Sequence, residues 1–405
     1  MLKPILISLS PNTTSRDFST ALKLLLQPWL WQKGSAEEKL EAALKTKLNH
    51  SYGFLLNAGR NGLYLALKAL DLKPGDEVLC QAFTCVAVPN AIIWAGAKPV
   101  FVDTKPNQFN LSLTDLKKKI TPRTKALIVQ HTFGVPDEIG TLATLCRQHK
   151  IILIEDCAHA LGAKVNGRPV GSFGDMTMLS FGRDKIISSV FGGVLLTNDR
   201  QLAKKINQLT NLLTYPPKIW ILKQLLHPIL FSLIVPTYFY FGKYLLMLIK
   251  KLGLISLPVP DQEKIGRMVI LPQKMPNALA QLALTQLSQL DTFNQHRCQI
   301  AKYYANKLHQ PVINPEAVYL RYSLLVGQPD QLIQKAKKHQ LLLGNWYRPL
   351  IAPAGVSRAL ISQASKSCPN ADSISHRVIN LPTHPRLNFN QLDRIINFIK
   401  PHVKF

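Results

Sequence analysis

The sequence predicts an α/β protein: a three-layer αβα large domain built on a mostly parallel sheet, followed by a smaller α+β domain at the C-terminus. Three observations carry that expectation. Short apolar runs alternate with helical stretches through the first half of the chain, the pattern of βαβ units whose strands are buried on both faces. The 405 residues suffice for one large domain and a second, smaller one. Hydrophobic residues make up 47% of the chain and charged residues 18%, a balance that excludes widespread disorder.

The elements follow in order. Residues 1–35 read as an arm and an amphipathic helix, with Leu22, Leu24, Leu25 and Leu26 near Trp29 and Trp31. Residues 36–210 read as the large domain. A helix rich in Ala, Glu, Lys and Leu covers Ala36–Leu48. Strands are expected at Phe54–Leu56, Glu77–Cys80, Pro99–Asp103, Ala126–Gln130 and Ile151–Ile154, and helices at Gly62–Leu70, Val86–Trp94, Leu113–Lys118 and Ile139–His149. The turn Lys73-Pro74-Gly75-Asp76 and Gly96 separate them. Met176–Phe181 and Gly193–Thr197 read as further strands, candidates for antiparallel additions. Residues 271–405 read as the α+β domain, opened by one long helix over Asn277–Leu308. A strand at Ala317–Val326, a helix at Asp330–His339, a strand at Leu341–Leu343 and a closing helix at Gln391–Phe398 follow.

Between these domains, residues 211–270 break the pattern. From Ile219 to Leu257 the only charges are Lys223, Lys243, Lys250 and Lys251. The uncharged stretch Gln224–Gly242 approaches the roughly 18–20 residues of a spanning helix. His227, Pro228 and Pro236 argue against one straight span. Two readings stand: an interfacial or re-entrant anchor on an anionic membrane surface, with Trp220, Tyr238, Tyr240 and the lysines at headgroup depth, or a hydrophobic hairpin buried in the protein or in a dimer interface.

The formal net charge of +26, from 49 Lys+Arg against 23 Asp+Glu, implies affinity for something anionic. No zinc-finger spacing, RNP-like aromatic motif or long Arg run marks a dedicated nucleic-acid module. Cys80, Cys85, Cys146, Cys157, Cys298 and Cys368 form no CxxC pair and read as reduced cytosolic thiols. The apolar run near the N-terminus is too short for a secretory signal.

Three features carry chemistry. The apolar run Ile151–Ile154 delivers Asp156 at a strand's carboxyl end, where open α/β sheets bind ligands. A buried carboxylate there needs a cationic partner, although it could simply cap the next helix. A loop after Ser180 carries Arg183, Asp184 and Lys185 and ends at Gly192-Gly193. A desolvated lysine can lose its proton and attack a carbonyl, and Arg183 would press the same way, yet most loop lysines are surface residues. Finally, Asn57-Ala58-Gly59-Arg60-Asn61-Gly62 lies between a strand and a helix. Such an N-terminus binds phosphate through its N–H groups, with Arg60 as a charged donor, or is an ordinary capped turn.

In this order the features resemble the DegT/DnrJ/EryC1/StrS family of sugar-nucleotide aminotransferases. The matching stretches are NAGRNGLYLALKAL, AFTCVAVPNAIIWAGAKPVFVD, HTFGVP, IEDCAHALGA, GSFGDMTMLSFGRDK, GGVLLTND and NLPTHPRL. The likeness is continuous from about residue 35 to 209 and looser from about 275 to 400. It implies the fold type I of pyridoxal 5'-phosphate (PLP) enzymes. It makes Lys185 the catalytic residue that holds PLP covalently, and Asp156 the partner of the pyridine nitrogen. His159 would sit near the phenolic oxygen, and Ser180, Gly59 and Arg60 around the phosphate. His159 as a core histidine and Ser180 as a strand-end hydroxyl are the plainer readings. Glutamate is the expected donor, a nucleotide-linked keto sugar for surface glycans the acceptor, and a homodimer the assembly. The location would be cytoplasmic, peripheral on the inner membrane face if the anchor reading holds. No metal is implied. Four positions depart from the family's pattern. Ala58-Gly59-Arg60 stands for Ser-Gly-Thr, and Cys85 for an aromatic ring that stacks on the cofactor, with Phe83 two residues away. Val190-Phe191 stands for Gly-Glu, and Pro272 and Lys274 for an Asn and an Arg that reach the partner's site. The family's dehydratases carry His in place of Lys185, so that variant is disfavoured.

Overall fold

The computed structural model describes residues 3–311 and 313–402. Its centre is a seven-stranded sheet. In chain order the strands are β1 (Tyr52–Leu56), β2 (Glu77–Gln81), β3 (Lys98–Val102), β4 (Thr124–Gln130), β5 (Ile152–Asp156), β6 (Met176–Ser180) and β7 (Gly193–Thr197). Across the sheet the order is β1-β7-β6-β5-β4-β2-β3. All neighbours are parallel except β7, which runs antiparallel to both β6 and β1. Of the two strands expected as antiparallel additions, β6 therefore belongs to the parallel set.

Alternation along the strands builds the three layers. On β4, Ala126 and Ile128 face one core while Leu127 and Val129 face the other. On β5, Ile154 and Leu153 divide likewise. Near the chain start lie α1 (Ser15–Leu25) and α2 (Ser35–Leu48). On α2 the residues Ala36, Leu40, Leu44 and Leu48 form one buried stripe, and Asn49 ends the helix in the left-handed region. They pack with β7 and the Lys185 loop. Helix α3 (Gly59–Lys68) follows β1.

The apolar segment forms α4 (Lys218–Ile234) and α5 (Lys243–Lys251), joined by a single π-helical turn over Tyr238–Gly242. Among the described residues no single helix is long and apolar enough to cross a membrane, and this pair is bent by 114°. Phe231, Ile234, Leu246, Ile249 and Ile255 bury a small core between the two. Ile221 and Leu225 of α4 pack into the main body. Phe241, Tyr244, Met247 and Leu248 remain exposed.

The helix expected over Asn277–Leu308 is two: α6 (Asn277–Leu287) and α7 (Leu290–Lys307). The break has a local cause. Ser288 Oγ and Gln289 Nε2 both donate to the Thr285 carbonyl, and Thr285 Oγ1 donates to Gln281 O, so side chains compete for the helical acceptors. The C-terminal part has its own core, with Tyr304, Leu324, Ile379 and Ile395 at its centre. Its antiparallel pair is β8 (Arg321–Leu325), shorter than expected, with β9 (Val378–Pro382). The arm returns here too, as Ile5–Leu6 pairs with Leu341–Leu342.

Candidate active site

The carboxyl ends of β4, β5 and β6 open onto a cavity of about 420 Å³. Every candidate from the sequence lines it: Gly59, Arg60, Cys85, Asp156, His159, Ser180 and Lys185.

Asp156 ends β5 and is buried. Its Oδ1 accepts the Ala158 N–H at 3.0 Å, and among the described residues no hydrogen bond reaches the other oxygen. Burial raises its pKa, and the Lys185 ammonium works against that. Lys185 Nζ lies 3.0 Å from His159 Nε2. Burial lowers the lysine's pKa, while Asp156 supports its charge. His159 is held well below 6.5 by burial first, then by Lys185 and Arg321. Its Nδ1 accepts the Phe133 N–H at 3.4 Å, which leaves the ring proton on Nε2, facing the amine. Tyr347 Oη lies 3.5 Å from the same nitrogen, with its ring stacked on the imidazole.

The Lys185 loop is held from behind. Arg297 of α7, fully buried, donates to Asn294 Oδ1 (2.7 Å), Asn12 Oδ1 (3.0 Å) and Ile186 O (2.9 Å). Asn12 Nδ2 in turn donates to the carbonyls of Lys185 and Ile186. The cation that bears on Lys185 is Arg321, not Arg183 as the sequence suggested. Arg183 donates instead to Ser256 O.

Helix α3 begins against the end of β6. Its cap, Ala58, has no side chain to satisfy the first N–H groups. A Cβ on Gly59 would stand 2.6 Å from Ser180 Cβ, and one on Gly193 would stand 2.6 Å from Gly59 Cα, so only glycines allow this approach. Arg60 lines the cavity, but its guanidinium is bound by buried Glu263 and by Pro258 O.

Cys85 lines the cavity from the short strand Thr84–Cys85, which pairs with Ile351–Ala352. Phe83 is fully buried among Phe109, Phe133 and Tyr347 and does not line it. Val190 and Phe191 line the rim, with Phe191 packed edge-on against Trp220 of α4. Lys274 lies away from the cavity, beside the Tyr215 ring. Gln130, Arg321, Trp346 and Tyr347 also line the cavity, and the sequence did not point to them. The run Asn345-Trp346-Tyr347-Arg348-Pro349 was the available signal, but it stands in the looser part of the chain. His131, Glu155 and Cys157 cluster nearby, yet Glu155 is already saturated by His131 and the N–H groups of Gly171, Phe173 and Gly174.

The sequence profile of the DegT/DnrJ/EryC1/StrS aminotransferase family matches residues 12–214 and 247–400. The chain belongs to that family. This aminotransferase is 28% identical over 375 residues, 91% of this chain and 88% of the relative, to UDP-N-acetyl-3-dehydro-α-D-glucosamine 3-aminotransferase of Acidithiobacillus ferrooxidans. It is 29% identical over 385 residues to GDP-perosamine synthase of Vibrio cholerae, covering 92% of each. Among solved structures, the sugar aminotransferase CalS13 of Micromonospora echinospora superposes with a TM-score of 0.72 at 20% identity, covering 95% of this chain and 96% of that one. DesV of S. venezuelae gives 0.74 at 24%, covering 95% and 93%. The aminotransferase is a fold type I enzyme and its cofactor is PLP. The cavity fits that group chemically: a buried carboxylate with a spare oxygen, an amine with a lowered pKa, and a helix N-terminus pressed close by glycines.

Proposed function

We propose that this aminotransferase moves an amino group from an amino acid, glutamate being the expected donor, to the carbonyl of a nucleotide-linked keto sugar used in surface-glycan or related biosynthesis. The observation that carries the reading is the convergence of Lys185, His159 and Asp156 on one cavity beside the α3 N-terminus. PLP, when bound, supplies the electron sink and the carbonyl that carries the amino group between substrates. Asp156 would hold the protonated ring nitrogen through its carboxylate. Ser180 Oγ and the first N–H groups of α3 would hold the phosphate. Lys185 would retain the cofactor and, once displaced, take and return a proton at Nζ. Neutral His159, with Nε2 3.0 Å from Nζ, keeps the amine aimed into the cavity. The relatives bear UDP and GDP sugar names, and the mouth carries Arg183 and Lys264, a suitable edge for an anionic acceptor.

A homodimer is part of the proposal, as is contact of 219–257 with an anionic membrane on its inner face. The support is the exposed group Phe241, Tyr244, Met247, Leu248 and Leu252, flanked by Lys243, Lys250 and Lys251. The test is a spectrum. Purified protein with PLP should bind the cofactor, change its absorbance on glutamate titration, and revert with a nucleotide keto sugar that gains an amine by mass spectrometry. No spectral response to any amino acid would end the reading. Light scattering reads the assembly, and co-sedimentation with anionic against zwitterionic vesicles reads the surface.

A further inference from the structure

Arg321 opens β8 and is 5% exposed, yet it lines the cavity beside Lys185, Trp346 and Tyr347. Its guanidinium carbon lies 3.6 Å from the centre of the Trp346 ring, so one face is covered by indole. Among the described residues the guanidinium has no hydrogen-bond acceptor and no ion-pair partner. This sets it apart from the other arginines around the site. Arg60 has Glu263, Arg183 has Ser256 O, and Arg297 has three oxygens. Asp184 is the charge that favours it most, and among the described residues that carboxylate accepts only the Ser10 N–H, at 3.4 Å. A buried guanidinium with unspent donors is costly unless an anion meets it.

We propose that Arg321 is the anchor for the carboxylate of the amino-acid donor, and hence the residue that selects the donor in the first half of the reaction. The proposal rests on the aminotransferase reading and deepens it. Position and shape support it. A phosphate has its own cradle at Gly59 and Ser180, whereas Arg321 stands with Lys185, His159 and Tyr347, where the amine must arrive. A guanidinium stacked on indole still offers planar, paired N–H donors, which match the two oxygens of a carboxylate. A keto sugar presents no carboxylate to it, so the two half-reactions should depend on Arg321 unequally.

The experiment uses the full-length, PLP-loaded protein and its Arg321→Gln and Arg321→Lys variants. The probe is glutarate, an unreactive dicarboxylate, titrated by calorimetry. Arg321→Gln should weaken glutarate about 10- to 100-fold, and Arg321→Lys less. The glutamate concentration giving half the single-turnover spectral change should rise in parallel, with a smaller effect on the limiting rate. Melting temperature and PLP retention should stay near wild type. Glutarate affinity within twofold of wild type in Arg321→Gln would overturn the proposal. So would a loss of melting temperature that Arg321→Lys restores without restoring glutarate binding, since that marks a structural partner for Asp184. If wild type binds glutarate through Arg321 yet no amino acid changes its spectrum, the function reading fails while the anchor stands.

Discussion

Arg297→Met should loosen the Lys185 loop more than it disturbs the rest of the fold. The guanidinium is fully buried and has no carboxylate against it. Burial pushes its pKa down to about 9, so it is still charged at neutral pH. Its hydrogen bonds run to three neutral oxygens, of which Asn12 Oδ1 and Ile186 O tie the arm to the loop. Methionine fills much of the volume but leaves Asn294 Oδ1 and Asn12 Oδ1 without their donor, while Ile186 O keeps only the longer bond from Asn12 Nδ2 at 3.3 Å. At about 1–2 kcal/mol for each of the two stranded groups, the loss is about 2–4 kcal/mol. In a chain of this size that lowers the melting temperature by about 2–5 °C. Two measurements check it: a thermal melt, and hydrogen exchange of the amides from Lys185 to Ser189. Exchange should be faster there, with little change on β4 and β5. A melting temperature within about 1 °C of wild type and unchanged loop exchange would show that Arg297 does not hold the loop.

Lys185→Ala should cut turnover by at least about 10³-fold and let PLP dialyse away, with the melting temperature unchanged or raised, because a desolvated amine is removed. Retained yellow colour after dialysis contradicts it. Gly59→Ala places a methyl 2.6 Å from Ser180 Cβ and should cost about 1–3 kcal/mol by denaturant titration while weakening PLP binding. Pairing it with Ser180→Gly should recover part of the stability, Met178 Sδ still standing 2.9 Å from the new methyl, but not the cofactor. Glu263→Gln leaves Arg60 buried without its counter-charge and should lower stability by about 3–5 kcal/mol, in part recovered by adding Arg60→Thr. His227 is held well below 6.5 by burial first and Arg183 next, so its folded form stays neutral. Its contribution is full above pH 6.5 and is lost as pH falls. Stability should drop by about 2 kcal/mol between pH 6.5 and 5, and His227→Gln should flatten that slope.

The sheet was legible because its strands are apolar on both faces and end at recognisable turns. Ile151–Ile154 could hardly be anything but a central strand, and that fixed Asp156 at its carboxyl end. Lys185 and Gly59 were legible for a related reason, since each sits at a junction between elements that the apolar pattern delimits. Arg321 and Tyr347 were not. They reach the cavity from more than 130 residues beyond Lys185, and no periodicity says which end of β8 faces it. The break between α6 and α7 was hidden because neither Gly nor Pro marks it; hydroxyl and amide side chains make it.

The departure at Arg60 acquires a physical reason once the segment beyond residue 214 is considered. The family profile leaves residues 215–246 unmatched, so α4 lies almost wholly outside the shared pattern. That segment must still be fastened to a body whose surface near the site is shaped for the cofactor. Polar ties do it, among them His227 Nε2 to Ser10 Oγ at 2.6 Å, Arg183 to Ser256 O, Arg60 to Glu263, and Asn90 Nδ2 to Glu263 O at 2.6 Å. Glu263 is 1% exposed, and Ile270 N–H and Arg60 are what keep its carboxylate solvated by protein. The threonine usual in the family at position 60 would leave that charge without a cation, which buried carboxylates do not tolerate. Arg60 and Glu263, on the helical turn Asp261–Lys264 that follows the apolar segment, are thus one adaptation, and a chain carrying either alone should be the less stable for it.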